Sequence, residues 1–176
     1  MISFPPTLIL RHRKENLKKC TLSGLESHPH LRFFTYPLDP LPSLSDYFLL
    51  TLDAPLLSLE DRHLGILLID GTWNYARIMQ NQLPATHLQK RSLPPNLMTA
   101  YPRKQTGCSD PSRGLASIEA LFAAHFLLGR STEGLLDRFH WREKFKELNP
   151  DLTLTFESSE SKFRNLDAAT LGSAQS

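Results

Sequence analysis

The sequence predicts a single α/β domain with a mostly parallel sheet and a helical C-terminal part. Three observations lead there. Short apolar runs alternate with helical patterns, as strands and crossover helices do. One run, Gly65-Ile-Leu-Leu-Ile-Asp70, is continuously apolar and ends in an Asp-Gly turn, the mark of a strand buried on both faces. Late in the chain, Ser117 to Leu128 carries apolar residues around most of its circumference, as a largely buried helix does. A chain of 176 residues, 40% hydrophobic and 22% charged, is long enough for one domain with its own core. That domain is expected over residues 1–156. Residues 157–176 are polar and rich in Ser, Ala and Asn, and are expected to form a disordered tail.

Each element follows in order. Thr7 to Leu10 is a β-branched and aliphatic run after two prolines, and reads as the first strand. Glu15 to Glu26 has Leu17, Thr21 and Leu25 at helical spacing and predicts a helix. Leu31 to Tyr36 and Tyr47 to Leu52 read as further strands, separated by a proline-rich loop. One helical turn near Leu57 to Asp61 precedes the central strand. Thr72 can then cap a helix that starts at Trp73 and ends before Pro84. Met98 to Tyr101 is the expected last strand, and Arg103 to Arg113 a long polar loop. After the buried helix, Gly129 is a stop, Ser131 or Thr132 a cap, and Glu133 to Leu148 the last helix.

Several function classes are excluded or left unsupported. The longest apolar runs are too short to cross a bilayer, and the start lacks the pattern of a secretory signal, so a cytoplasmic protein is expected. With two cysteines, Cys20 and Cys108, a four-cysteine zinc site cannot form, and no histidine spacing suggests a metal. Glycine-rich dinucleotide loops, P-loops and Gly-x-Ser-x-Gly elbows are absent. The net charge of +2 does not by itself argue for nucleic acid. Clustering is more informative: Arg11, Arg13, Lys14, Lys18 and Lys19 lie close together, and Lys90-Arg91, Arg103-Lys104 and Arg113 follow. A solvated helix face explains the first group equally well.

Asp70 and Trp73 fall at the carboxyl end of the buried strand, where open α/β sheets place ligands. An ordinary junction, with Asp70 as a helix cap and Trp73 in the core, fits the spacing too.

The order Lys18-Lys-Cys-Thr21, Asp70-Gly-Thr-Trp73, Tyr101-Pro-Arg103 and Gly114-Leu-Ala-Ser117-Ile-Glu119 resembles the DTW-domain family of RNA aminocarboxypropyltransferases and their ribosomal-RNA relatives. The resemblance runs over about residues 8 to 150, and some motifs favour each branch. It implies a SPOUT-like fold with a trefoil knot, which no spacing argument would suggest. It implies transfer of the 3-amino-3-carboxypropyl group of S-adenosylmethionine to a uridine ring nitrogen in RNA. Transfer RNA is slightly preferred to small-subunit ribosomal RNA as the partner, and a monomer is expected. By the same resemblance Asp70 is the catalytic candidate and a cofactor contact. Trp73 flanks the methionine end, Thr21 supplies a hydroxyl, and Leu93 lies against adenine. Gly114, Leu115, Ala116 and Ser117 form the seat before the late helix, where unpaired amide groups favour an anion. Leu-Ala-Ser stands where relatives have Leu-Ser, which leaves the register there open. Lys18, Lys19, Arg103 and Lys104 are the RNA-binding candidates, and no metal is called for. With two cysteines the sequence departs from many DTW proteins, which carry a cysteine-rich segment, so any RNA contact that segment makes elsewhere is expected to be absent here or supplied differently. The alternatives are an RNA methyltransferase using the same cofactor, or a non-catalytic RNA-binding or ribosome-assembly protein.

Overall fold

A computed structural model describes residues 4–84, 88–102 and 106–152. Five parallel strands form one sheet: β1 (Thr7–His12), β2 (Leu31–Tyr36), β3 (Tyr47–Leu50), β4 (Gly65–Asp70) and β5 (Gln89–Arg91). Their order is β2-β1-β4-β3-β5, so the apolar run around Leu67 is the central strand, as the sequence predicts. Helix α1 (Trp73–Asn81) follows β4, and α2 (Ser117–Leu127) and α3 (Arg142–Leu148) complete the chain.

Alternation along the strands separates two apolar layers. Ile9 and Leu68 face a core shared with Ile118, Leu121 and Phe122 of α2 and Phe145 of α3. Leu8, Leu10 and Leu67 face the other way, onto Met79 of α1. Each such fully buried side chain contributes about 1.5–3 kcal/mol of transfer free energy. Gly65 permits a close contact that a side chain would block: a Cβ there would come within 2.2 Å of the Tyr47 ring on β3. Thr72 caps α1, its hydroxyl accepting from the amide of Tyr75 at 3.3 Å.

Three elements differ from the sequence reading. Residues 15–26 form linked turns, not a helix. Asn16 diverts the backbone there: its side chain accepts from the Lys18 amide, and its carbonyl accepts from Lys19 and Cys20. The last strand is Gln89–Arg91, not Met98 to Tyr101. The latter stretch is held by side chains instead, with Asn149 bonding both the amide and the carbonyl of Met98 at 2.8 Å. The final helix is shorter than predicted because Gly134 takes a φ of +77°, which leaves turns where its first half was expected. The expected tail, 157–176, lies outside the described residues.

No helix of the described residues is long and apolar enough to cross a membrane.

Candidate functional site

The chain leaves β1 toward β2 on one side and leaves β4 toward β5 on the other. The carboxyl ends of β1 and β4 therefore bound a topological switch point. Arg11 and Asp70 are direct register partners there. Their side chains pair, Arg11 Nε donating to Asp70 Oδ2 at 2.9 Å, with the carboxylate side chain only 4% exposed.

Asp70 is the hub of a network that no stretch of sequence announces. Its Oδ1 accepts from the Ser117 hydroxyl at 2.9 Å, and its Oδ2 also accepts from the Cys20 thiol at 3.2 Å. Burial, and then the negative charge of Asp70, push the Cys20 thiol up to about 12, so it stays a protonated donor. Arg11 continues outward to Glu26 at 2.9 Å and lies over the Phe33 ring, 4.7 Å from its centroid. Burial opposes the charge on Arg11, and the hydrogen bonds to Asp70 and Glu26 outweigh it, leaving the guanidinium above its ordinary value. Asp70 thus joins β4, β1, the first inter-strand turns and the start of α2. The helix cap is Thr72.

Beside this network opens a cavity of about 830 Å3, within the range that holds a small-molecule ligand. Leu50, Leu93, Leu97 and Leu115 give it an apolar wall, and Trp73 and Ala76 of α1 stand against them. Trp73 is half-buried and lies outside the three apolar core clusters. Of the predicted cofactor residues, Trp73, Leu93, Leu115, Ala116 and Ser117 line this one cavity.

Asp70, Thr21 and Gly114 are not among the residues that line it. Thr21 instead accepts from the Ile118 amide at 3.2 Å, fastening the first turns to α2. Asp70 supports the wall through Ser117. The seat before α2 also differs from an open anion site. Glu119, fully buried, accepts from the Ala116 amide at 2.8 Å, so this amide and that of Ile118 are already engaged. Glu119 further binds Thr99 Oγ1 at 2.6 Å and the Ala100 amide at 2.8 Å, holding the Met98–Tyr101 stretch against the helix. Burial raises its carboxyl pKa. The sequence signal for Glu119 is its place three residues after the N-cap position, Ala116. Arg11 had appeared only as one of a basic run, and nothing local marks its partner.

Arg113 also reaches the cavity, donating to the Leu52 carbonyl at 2.8 Å, with Asp53 at 3.9 Å. Lys18 and Lys19 are exposed on the turns after β1. The Lys19 carbonyl accepts from the Tyr101 hydroxyl at 3.2 Å, and Tyr101 lines the cavity, so the basic turn borders its mouth. Arg103 and Lys104 lie outside the described residues. Among the described residues no three His, Cys, Asp or Glu side chains cluster to hold a metal.

A parallel α/β sheet with a tryptophan-walled cavity at the carboxyl ends of its strands is the arrangement in which α/β proteins hold a small ligand at the carboxyl edge. Residues 51–168 match the family model described as "Ribosome biogenesis protein, C-terminal", and the chain belongs to that family. The fold is similar to a solved structure, the SAM-dependent rRNA:acp-transferase Tsr3 from Vulcanisaeta distributa. The two chains are 25% identical with a TM-score of 0.64, over 86% of this chain and 80% of that one. No curated protein sequence gives a match.

Proposed function

We propose that this protein transfers the 3-amino-3-carboxypropyl group of S-adenosylmethionine to a uridine ring nitrogen in ribosomal RNA, a carbon–nitrogen bond forming as the carbon–sulfur bond breaks, with methylthioadenosine leaving and the imide proton passing to solvent or a base. The observation that carries this reading is the cavity at the carboxyl ends of β4, β3 and β5, walled by Trp73 and leucines, in a chain of a ribosome-biogenesis family. Likeness to a solved rRNA:acp-transferase supports the reaction, and favours ribosomal RNA over the transfer RNA that the motif resemblance preferred. A SPOUT-like knot, kinship with DTW-domain proteins, a catalytic unit over residues 1–156 and action as a monomer belong to the same reading.

The cavity fits the cofactor in size and in chemistry. Leu50, Leu93 and Leu115 offer an apolar bed for adenine, and the indole of Trp73 offers a π face to a cation. When bound, the sulfonium supplies an already activated carbon, so the protein needs to orient and shield more than to activate. Trp73 and the leucines exclude water around the transferring group. Ser117, fixed by Asp70, holds the start of α2 as the floor of the site. In this scheme Asp70 serves first as an anchor. Asp70 does not itself line the cavity, so a role as proton acceptor would run through the Ser117 hydroxyl that it holds.

Calorimetry with S-adenosylmethionine tests the reading. Binding is expected, and Trp73→Ala should weaken it about thirtyfold, the equivalent of one desolvated cation–π contact of about 2 kcal/mol. RNA from cells with and without the gene should differ by the mass of an aminocarboxypropyl group. A methyl increment would assign the methyltransferase alternative instead, and absence of both heat and thermal shift would remove the enzyme. Single-turnover rates of Asp70→Asn at saturating cofactor and RNA separate its roles: a near-normal rate means anchor, a depressed one means base.

A further inference from the structure

We propose that Arg77 and Lys90 grip the phosphate backbone of the RNA at the cavity mouth, beyond Lys18 and Lys19 along the carboxyl edge. The RNA strand then crosses the mouth from one basic rim to the other. This rests on the reading of the protein as an RNA-modifying enzyme and adds where the RNA runs.

The placement follows from the helix and the sheet. Arg77 stands one turn beyond Trp73 on α1, and both line the cavity. Lys90 sits on β5, the edge strand beside β3, and lines the same cavity. Lys18 and Lys19 follow β1, on the far side of β4. The sheet order sets Lys90 three strand spacings, or about 14 Å, from β1 along the carboxyl edge, and Arg77 stands between them on α1, which packs on β4 and β1. A chain of several nucleotides spans that distance.

Charge pairing separates these two cations from their neighbours. Arg11 is engaged by Asp70 and Glu26, and Arg91 by the buried Asp61 at 2.8 Å. Arg113 is turned to the Leu52 carbonyl and Asp53. Arg77 and Lys90 are exposed, and among the described residues neither makes an ion pair. Two exposed cations outside any ion pair among the described residues, at the mouth of a cavity that Asp53 also lines, suit a polyanion that lies outside while its base enters. The cofactor, with one carboxylate and no phosphate, does not need them.

The test uses the full chain and a short single-stranded oligouridine, with affinity followed across a salt series. Each lost phosphate contact lowers the slope of log affinity against log salt by about 0.7. Arg77→Ala/Lys90→Ala should bind more weakly and flatten the slope by about 1.4, and the flattening should persist when the series is repeated at saturating S-adenosylmethionine. Arg77→Lys/Lys90→Arg should keep the wild-type slope, which separates charge from packing. An unchanged slope and affinity in the alanine pair overturns the proposal. So does a loss of cofactor affinity with the RNA slope intact. If the wild type fails to bind S-adenosylmethionine, the transferase reading falls, and the slope still decides where RNA is held.

Discussion

The sheet carries an arginine near each end, Arg11 half-buried and Arg130 buried, and the two are built differently. At the carboxyl edge Arg11 lies over Phe33, with two carboxylates, Asp70 and Glu26, both at 2.9 Å. At the amino edge Arg130 lies over Phe4, 4.2 Å from the ring centroid, and donates to the carbonyls of Arg62 and Leu64. No carboxylate joins it among the described residues, and its Nε and Nη1 have no hydrogen-bond partner there. Burial brings Arg130 down to about 10, whereas the partners of Arg11 hold it above the ordinary value. His125 near the same end is buried as a neutral ring. Its Nδ1 donates to the Ser131 carbonyl at 3.2 Å, and its Nε2 accepts from the Thr7 hydroxyl at 2.9 Å. The amino edge is thus closed by carbonyls, rings and neutral donors. The carboxyl edge keeps opposite charges in a directional network that ends on Ser117 at the cavity wall. The contrast between an arginine held by carboxylates and one held by carbonyls teaches where the fold invests in geometry as well as in stability.

Three changes can break or sharpen this contrast. The largest effect is expected from Arg11→Met. It leaves Asp70 buried without its cation, which costs about 3–5 kcal/mol. Arg11→Met/Asp70→Leu should recover most of that in urea denaturation, because both charges are gone. Cofactor affinity should stay low, since Ser117 has then lost its acceptor. A double variant that binds the cofactor normally would make the network purely structural and dissolve the contrast.

A smaller effect comes from His125. Burial lowers it from 6.5 to about 4, so below pH 6.5 the unfolded chain takes up a proton that the folded chain refuses. Stability should fall as the pH drops from 6.5 to about 4 and then level off for this group, by about 3 kcal/mol in all. His125→Gln should flatten that part of the curve. An equal acid slope in the variant would assign it to other groups.

The smallest effect is expected from Arg130→Met. Two carbonyls lose a charged donor, which costs about 1.5–3 kcal/mol, but a poorly paired buried cation is removed as well. The net change in unfolding free energy should be within about 1 kcal/mol, with cofactor and RNA binding intact. A loss as large as that of Arg11→Met would show that the two ends rely on charge equally.

Legibility followed the kind of interaction. The central strand, the Thr72 cap, α2 and its Gly129 stop were readable because apolar period and capping chemistry are local. β5 was not: Gln89, Lys90 and Arg91 carry no apolar pattern, and the strand exists because β3 offers it an unpaired edge. The predicted helix over 15–26 failed for a related reason. Its periodicity was real, but Asn16 gave the backbone a competing local bond, and Cys20, Leu22 and Leu25 are buried from turns.

The candidate site divides along the same line. By itself the sequence determined that Asp70 and Trp73 end a buried strand and that Leu115 to Ser117 open a buried helix. Each of these statements concerns neighbours in the chain, where backbone geometry leaves few choices. Only the tertiary structure decided that Trp73, Leu93 and Leu115 share one cavity, and that Arg11, Cys20 and Ser117 converge on Asp70. These contacts cross separations of up to 59 residues, set by strand order and crossover direction. A pairing of that kind leaves no periodic trace, because its partners need only the right chemistry at the ends of two adjacent strands.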